Sequence, residues 1–216
     1  MNKRFAIFDL DGTLVDSMPY WQQEIRDFLT VRGVTEHMAE ILDRVKPLAI
    51  TETTKILVRQ FGFPDDPDKA AADITARMAE RYRGSLPLKD GVREYAEALK
   101  RRGVRMCVAS ATPVPLMDAC LTRLGVRNLF EFAISCADVG AGKDHPDIYY
   151  AAAKRLGASP EEIAVYEDSD NAMRTAKGAG FYGVGVYDPQ GAAQWEELQA
   201  LADEAIPDWS AAAREL

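Results

Sequence analysis

Histidine and cysteine are scarce in this chain of 216 residues. The two histidines are His37 and His145, and the three cysteines are Cys107, Cys120 and Cys136. The histidines lack the spacing of a zinc site, which disfavours zinc binding and histidine-based catalysis and predicts surface positions for both. An odd number of cysteines without motif spacing argues against a disulfide framework. Cys107 lies in an apolar run and is predicted to pack as a small hydrophobic side chain.

The sequence also lacks long hydrophobic runs and any excess of positive charge. No stretch approaches the length of a membrane-spanning helix, and the apolar run at residues 5–8 is too short for a secretory signal. The net charge is −8, and an acidic surface repels nucleic acid and anionic membranes. We therefore expect a cytoplasmic protein that binds neither nucleic acid nor membranes. We expect a monomer, because no exposed apolar helix stripe stands out.

Two kinds of hydrophobic pattern divide the chain. A short apolar strand comes first, and helical patterns dominate from about residue 17 to residue 83. After Pro87, predicted strands alternate with predicted helices, and the first of these helices is expected to be capped by Asp90. The predicted strands cover residues 5–8, 104–109, 132–135, 163–166 and 182–187.

Alternating strands and helices predict an α/β protein with a doubly wound, Rossmann-like parallel sheet. The block of helical patterns interrupts this sheet between its first strand and the rest. The expected domains are therefore an α/β core of residues 1–15 and 88–216 and an inserted all-helical domain of residues 16–87.

The strongest functional signal is Asp9-Leu10-Asp11-Gly12-Thr13, directly after the first predicted strand. Ligands of open α/β sheets bind outside the carboxyl ends of the strands. Residues two apart in a strand point to the same side, so we expect Asp9 and Asp11 to face one site. Two such carboxylates repel each other unless a cation intervenes, and Mg²⁺ prefers oxygen ligands. In isolation the same pattern would be read as a capped turn with two surface acids.

A second acidic pair, Glu167-Asp168, follows the predicted strand at 163–166. Alternatively, these acids begin a helix, with Asp168, Ser169 or Asp170 as its cap. Two acidic strand ends in one parallel sheet favour a shared metal site over that reading.

Two further polar residues stand at or near predicted strand ends. Ser110 follows the strand at 104–109, and Lys143 lies in the loop after the strand at 132–135. A lysine beside carboxylates can balance the charge of a phosphate group. Taken alone, Ser110 is also compatible with a plain helix cap and Lys143 with a solvated loop.

In this order, the four segments resemble the four motifs of the haloacid dehalogenase superfamily. Residues 9–17 resemble the first motif, Ser110 the second, Lys143 with residues 146–149 the third, and residues 167–169 the fourth. The resemblance spans essentially the whole chain. The helical block resembles the small cap of the branch that contains phosphoglycolate phosphatase and beta-phosphoglucomutase.

The resemblance implies a Mg²⁺-dependent phosphatase of a small phosphorylated metabolite. It implies that Asp9 attacks phosphorus to form an aspartyl-phosphate, and that Asp11 serves as acid and then as base. The implied metal ligands are the Asp9 carboxylate, the Asp11 backbone carbonyl and Asp168, with Glu167 as a further candidate. The implied phosphate-binding residues are Ser110, Lys143, Gly12 and Thr13.

Two alternatives stay open beside the phosphatase. One is a sugar phosphomutase of the beta-phosphoglucomutase type, although residues 44–51 show no clear match to the substrate loop of those enzymes. The other is a non-catalytic phospho-aspartate signalling module, which the Asp-x-Asp-Gly-Thr pattern and the helical insert disfavour. Candidate substrate-contacting residues in the helical cap are Lys46, Thr51 and Trp21.

Overall fold

The computed structural model describes residues 2–45 and 48–216, which form two compact units. One unit ends at Asp16 and resumes over Leu86–Leu216, and it contains the β-sheet. The other unit is Ser17–Ser85, and its regular structure is helical.

The larger unit is built on a six-stranded sheet with the strand order β3-β2-β1-β4-β5-β6. The strands are β1 (Phe5–Phe8), β2 (Arg105–Ser110), β3 (Ala133–Ser135), β4 (Ile163–Glu167), β5 (Tyr182–Val186) and β6 (Glu204–Ile206). All neighbouring strands pair in parallel. In β1, Phe8 lies opposite Val108 on one side and Tyr166 on the other. The carboxyl ends of β2, β1 and β4 therefore lie side by side where the winding of the sheet reverses, which is the usual ligand position in such folds.

The central strands are apolar because helices cover both faces of the sheet. Every residue of β1 and β4 is buried, and in β2 only the first residue is exposed. Continuous buried runs of this kind are typical of parallel sheets. Cys107 is fully buried in β2 and belongs to the core cluster with Ile7 and Val165, as predicted.

The smaller unit packs its helices around a core of its own. Its helices are α1 (Met18–Thr30), α2 (Met38–Val45), α3 (Ile50–Phe61) and α4 (Pro67–Gly84). Leu29 and Leu57 lie in the apolar cluster between them. Glu24 of α1 is also buried, and Arg77 and Arg81 of α4 pair with it at 2.6 and 3.4 Å. The two guanidinium groups compensate for burial of this carboxylate.

The remaining helices belong to the sheet-containing unit. They are α5 (Val92–Arg101), α6 (Val114–Arg123), α7 (Cys136–Val139), α8 (Asp147–Leu156), α9 (Asp170–Gly178), α10 (Trp195–Leu201) and α11 (Trp209–Arg214). The predicted α/β class, a doubly wound parallel sheet with an inserted helical block, is confirmed. The sequence patterns predict no element beyond residue 187, where α10, β6 and α11 lie.

The predicted role of Asp90 as a helix cap is wrong. The residue before α5 is Gly91, and no side chain caps this end of the helix. Gly91 has a φ of 85°, and this left-handed turn separates Asp90 from the first turn of the helix. A β carbon on Gly91 would lie 2.3 Å from the backbone nitrogen of Ser210, so α11 approaches α5 too closely for any other residue here.

The surface positions predicted for the histidines are confirmed. The side chains of His37 and His145 are 70% and 65% exposed. Over residues 2–45 and 48–216, every helix is too short or too polar to span a bilayer.

Candidate active site

Three carboxylates converge at the carboxyl ends of β1 and β4. Asp9 is the first residue after β1, and its backbone N–H donates to the Tyr166 carbonyl at 3.0 Å. Glu167 is the last residue of β4, and Asp168 follows it. One oxygen from each of these three side chains lies within 4.8 Å of the others. Carboxylate oxygens grouped in this way can bind a hard divalent cation.

A lysine from a separate loop contacts two of these carboxylates. Lys143 follows α7, and its Nζ donates to Asp9 Oδ1 and, at 2.6 Å, to Glu167 Oε1. The same Glu167 oxygen accepts a hydrogen bond from the Tyr149 hydroxyl at 2.8 Å. The Lys143 side chain is only 14% exposed. The loop thus places one positive charge between two buried acids, Asp9 and Glu167.

The pKa values reflect this crowding. Burial raises the pKa of Asp9 well above its ordinary value; Lys143 opposes the rise and Glu167 adds to it. Burial and the charge of Glu167 raise the pKa of Asp168 to about 7. Burial alone would lower the pKa of Lys143, but the two acids that it contacts raise it. One ammonium against three carboxylates leaves an excess of negative charge, which favours a bound cation.

Asp11 lies beyond β1, and its carboxylate contacts two hydroxyl groups at the end of β2. Thr112 Oγ1 donates to Asp11 Oδ2 at 2.6 Å, and Ser110 Oγ approaches the same oxygen at 3.4 Å. The Ser110 hydroxyl also accepts the Thr112 backbone N–H at 3.1 Å. Asp9 and Asp11 do not share one side of a strand as predicted, because both follow the last residue of β1. The loop sets their directions.

Gly12 and Thr13 connect this loop to the end of β4. Gly12 has a φ of 81°, and its N–H donates to the Val15 carbonyl at 3.0 Å. Thr13 is fully buried, and its Oγ1 donates to Asp168 Oδ1 at 3.0 Å. A β carbon on Gly12 would lie 2.2 Å from Asp168 Oδ2. Glycine is required here both for the turn and for the close approach of Asp168.

We expect Gly12→Ala to displace Asp168 and to weaken divalent-cation binding at least about tenfold, since disturbing the residues that position a metal ligand typically costs about 10- to 100-fold in metal affinity. Gly33→Ala is the matched control, because Gly33 has a φ of 82° but no atoms within 4 Å of its β carbon position. Both variants place alanine in the left-handed region, which lowers the free energy of unfolding by about 1–2 kcal/mol. Calorimetric titration with Mg²⁺ separates them. Equal affinities in the two variants would contradict the prediction.

The structure brings the predicted core residues together at one edge of the sheet. They are Asp9, Asp11, Gly12, Thr13, Ser110, Lys143, Glu167 and Asp168. Ser169 Oγ accepts the Ala172 N–H at 3.5 Å, so Ser169 is the cap of α9. The Asp168 carboxylate is therefore available to the site.

Trp21 and Thr51, two of the candidate cap residues, lie in the helical unit. Trp21 packs against the apolar cluster of that unit, and Thr51 is exposed in α3. Lys46 lies outside the described residues.

Sequence analysis missed two residues that contact the site. Thr112 binds Asp11, and Tyr149 binds Glu167. Thr112 lies two residues after Ser110, so its hydroxyl can lie at the same strand end. This spacing is the signal that could have identified it. Tyr149 lies six residues after Lys143 in α8, and its sequence position alone does not show which acid it contacts.

Comparison with known proteins adds a family match to this geometry. The model for haloacid dehalogenase-like hydrolases matches residues 4–180. Hexitol phosphatase B of Escherichia coli (strain K12) is 30% identical over 199 residues, covering 92% of this chain and 89% of the relative. Fructose-1-phosphate phosphatase of the same strain is 27% identical over 192 residues, covering 86% and 98%.

A solved structure agrees with these matches. A HAD family hydrolase from Deinococcus radiodurans R1, with bound phosphate and sodium, has a TM-score of 0.76 and 27% identity, covering 97% of this chain and 93% of that one. The matched residues 4–180 include every member of the acidic site, whereas α10, β6 and α11 lie beyond them.

Proposed function

The chain belongs to the haloacid dehalogenase-like hydrolases and is a phosphatase, and we propose that it hydrolyses a small phosphorylated sugar or sugar alcohol with Mg²⁺ through a phosphorylated Asp9. The observation that carries the proposal is the group of Asp9, Glu167 and Asp168, with Lys143 bound to the first two. The substrate class rests on the similarity to a hexitol phosphatase and a fructose-1-phosphate phosphatase.

The donor set fits Mg²⁺. It consists of hard oxygen ligands. Burial first, and the neighbouring acids second, raise the pKa values of Asp9 and Asp168, so a divalent cation would stabilise their charged forms. We propose that Asp9, Asp168 and the Asp11 backbone carbonyl hold the ion, with Glu167 as a further ligand. When bound, Mg²⁺ would neutralise charge on the phosphoryl oxygens.

In the proposed first step, an Asp9 carboxylate oxygen bonds to phosphorus and the bond from phosphorus to the ester oxygen breaks. The Asp11 carboxylic acid donates its proton to the departing alcohol oxygen. In the second step, water attacks phosphorus, Asp11 takes a proton from the water, and the bond between phosphorus and the Asp9 oxygen breaks. This releases inorganic phosphate and regenerates the Asp9 carboxylate and the Asp11 carboxylic acid. The hydrogen bond from Thr112 holds Asp11 in place for both transfers.

The remaining residues bind the phosphoryl group that is transferred. Lys143 contacts the proposed nucleophile directly, so its ammonium lies beside the position where charge develops. We propose that Ser110, Gly12 and Thr13 complete the phosphate site. The Thr13 hydroxyl also holds Asp168, which couples phosphate binding to the metal ligands.

We also propose a division of roles along the chain. Residues 1–15 and 88–216 supply the catalytic groups, and residues 16–87 act as a cap that selects the substrate. All members of the acidic site belong to the sheet-containing unit. Trp21 and Thr51 are candidates for contacts with the sugar.

Phosphate release from a panel of hexose and hexitol phosphates tests the proposal. We expect release with Mg²⁺ from at least one panel member, a loss of more than about tenfold with chelator, and recovery when Mg²⁺ is restored. An isomerised sugar phosphate without phosphate release would instead indicate a phosphomutase. A stable phosphorylated Asp9 without turnover would indicate a signalling module. Either result would overturn the phosphatase mechanism.

A further inference from the structure

The C-terminal helix α11 reaches the loop that carries the proposed nucleophile. Trp209 is its first residue and is only 4% exposed. The indole Nε1–H of Trp209 donates to the backbone carbonyl of Thr13 at 3.1 Å. Asp208 fixes the start of α11 by accepting the Ala211 N–H at 2.6 Å. The hydrogen bond between Trp209 and Thr13 joins residues from opposite ends of the chain. Helix α11 lies beyond the residues that match the family.

The ring of Trp209 packs against the residues that precede two of the site acids. Its centroid lies 6.4 Å from that of Phe8, which precedes Asp9, and 5.9 Å from that of Tyr166, which precedes Glu167. Phe8 and Tyr166 stack on each other with their centroids 4.2 Å apart. One side chain therefore packs at the ends of both strands, next to the residues that precede Asp9 and Glu167.

Thr13 links Trp209 to the proposed metal site. Its carbonyl accepts the Trp209 N–H, and its hydroxyl donates to Asp168 Oδ1 at 3.0 Å. An indole N–H can only donate, and a buried donor needs an acceptor. The Thr13 carbonyl satisfies this requirement and in turn holds the loop in one position.

We propose that Trp209 is a positioning residue, which orients Asp168 through Thr13 and so sets the affinity for Mg²⁺ and the turnover number. The kinetic part of this inference rests on the proposed function. The alternative is that Trp209 only anchors α11 to the core. That role predicts a loss of stability, with unchanged Mg²⁺ affinity and turnover in the folded variant.

The variant Trp209→Phe keeps an aromatic ring but removes the N–H donor. We expect kcat for p-nitrophenyl phosphate to fall about five- to tenfold, with KM within about twofold, because one hydrogen bond to the loop is lost. We expect the Mg²⁺ affinity, measured by calorimetry without substrate, to fall by a similar factor. Trp195→Phe is the matched control, because Trp195 also begins a helix but packs on Tyr187. It should leave both quantities unchanged.

A measurement on the wild-type protein keeps the test valid if Trp209→Phe does not fold. The chain has three tryptophans, so its ¹⁵N spectrum should contain three indole N–H signals. On addition of Mg²⁺ alone, we expect the Trp209 signal to shift and those of Trp21 and Trp195 to stay in place. A Trp209 signal that does not move, or a folded Trp209→Phe with wild-type kcat and Mg²⁺ affinity, would overturn the inference. A wild-type protein without phosphatase activity would instead sink the proposed function, since the indole experiment needs no turnover.

Discussion

Replacing Asp9 by asparagine is expected to reduce turnover at least about 10³-fold while the fold persists. Asparagine has nearly the shape of aspartate, but its amide cannot attack phosphorus in place of the carboxylate. The Asp9 side chain is buried against Lys143, so the change removes the nucleophile without opening a cavity. Phosphate release and acid-quench mass spectrometry would measure the effect. The wild type should carry a phosphoryl group on Asp9 that the variant lacks.

The same substitution carries a stability prediction with a definite sign. Burial raises the pKa of Asp9 in the folded state, so its contribution to stability is lost as pH rises through that pKa. Without metal, Asp9→Asn should therefore be at least as stable as the wild type at pH 8. Chemical denaturation in chelator would measure this.

Asp144→Asn is the control for both measurements. Asp144 adjoins Lys143 in the same loop, but its side chain is 77% exposed. This variant should keep wild-type turnover. If Asp9→Asn retained more than about a tenth of wild-type kcat, Asp9 would not be the nucleophile.

The site could be predicted from sequence because its residues adjoin buried strands. Phe5–Phe8 and the strand that ends at Glu167 are continuous apolar runs, and parallel strands align their carboxyl ends. That rule places Asp9 and Asp168 at the same edge of the sheet, although they are far apart in the sequence. The order of the four motifs then predicts which loops supply Ser110 and Lys143.

The contacts that hold the site in place could not be predicted in the same way. Trp209 and Thr13 are 196 residues apart, and no local pattern pairs an indole with one particular carbonyl. Asp90 has the right residue type for a helix cap, but the packing of α11 against Gly91 determines the backbone there. Local propensity is overridden where two distant segments pack closely.

Replacing Lys143 by methionine is expected to reduce kcat about 10²- to 10³-fold, because the phosphoryl group loses its nearest positive charge. The metal-free protein should also lose stability, since buried acids that lose a partner cost about 3 kcal/mol. Lys69→Met is the control. Lys69 pairs with Asp73 at 2.7 Å, but both side chains are more than half exposed, so this pair contributes little.

The pH dependence of the stability loss in Lys143→Met distinguishes the effect of the Lys143 charge from the effect of its packing. Lys143 opposes the raised pKa of Asp9, so its removal raises that pKa further. A carboxylate with a raised folded-state pKa loses its stabilising contribution as pH increases, so the deficit of Lys143→Met should grow from pH 5 to pH 8 in chelator. Added Mg²⁺ should reduce this deficit, because the cation supplies the missing positive charge. Denaturant titrations at both pH values would measure it, and equal deficits would mean that Lys143 acts through packing alone.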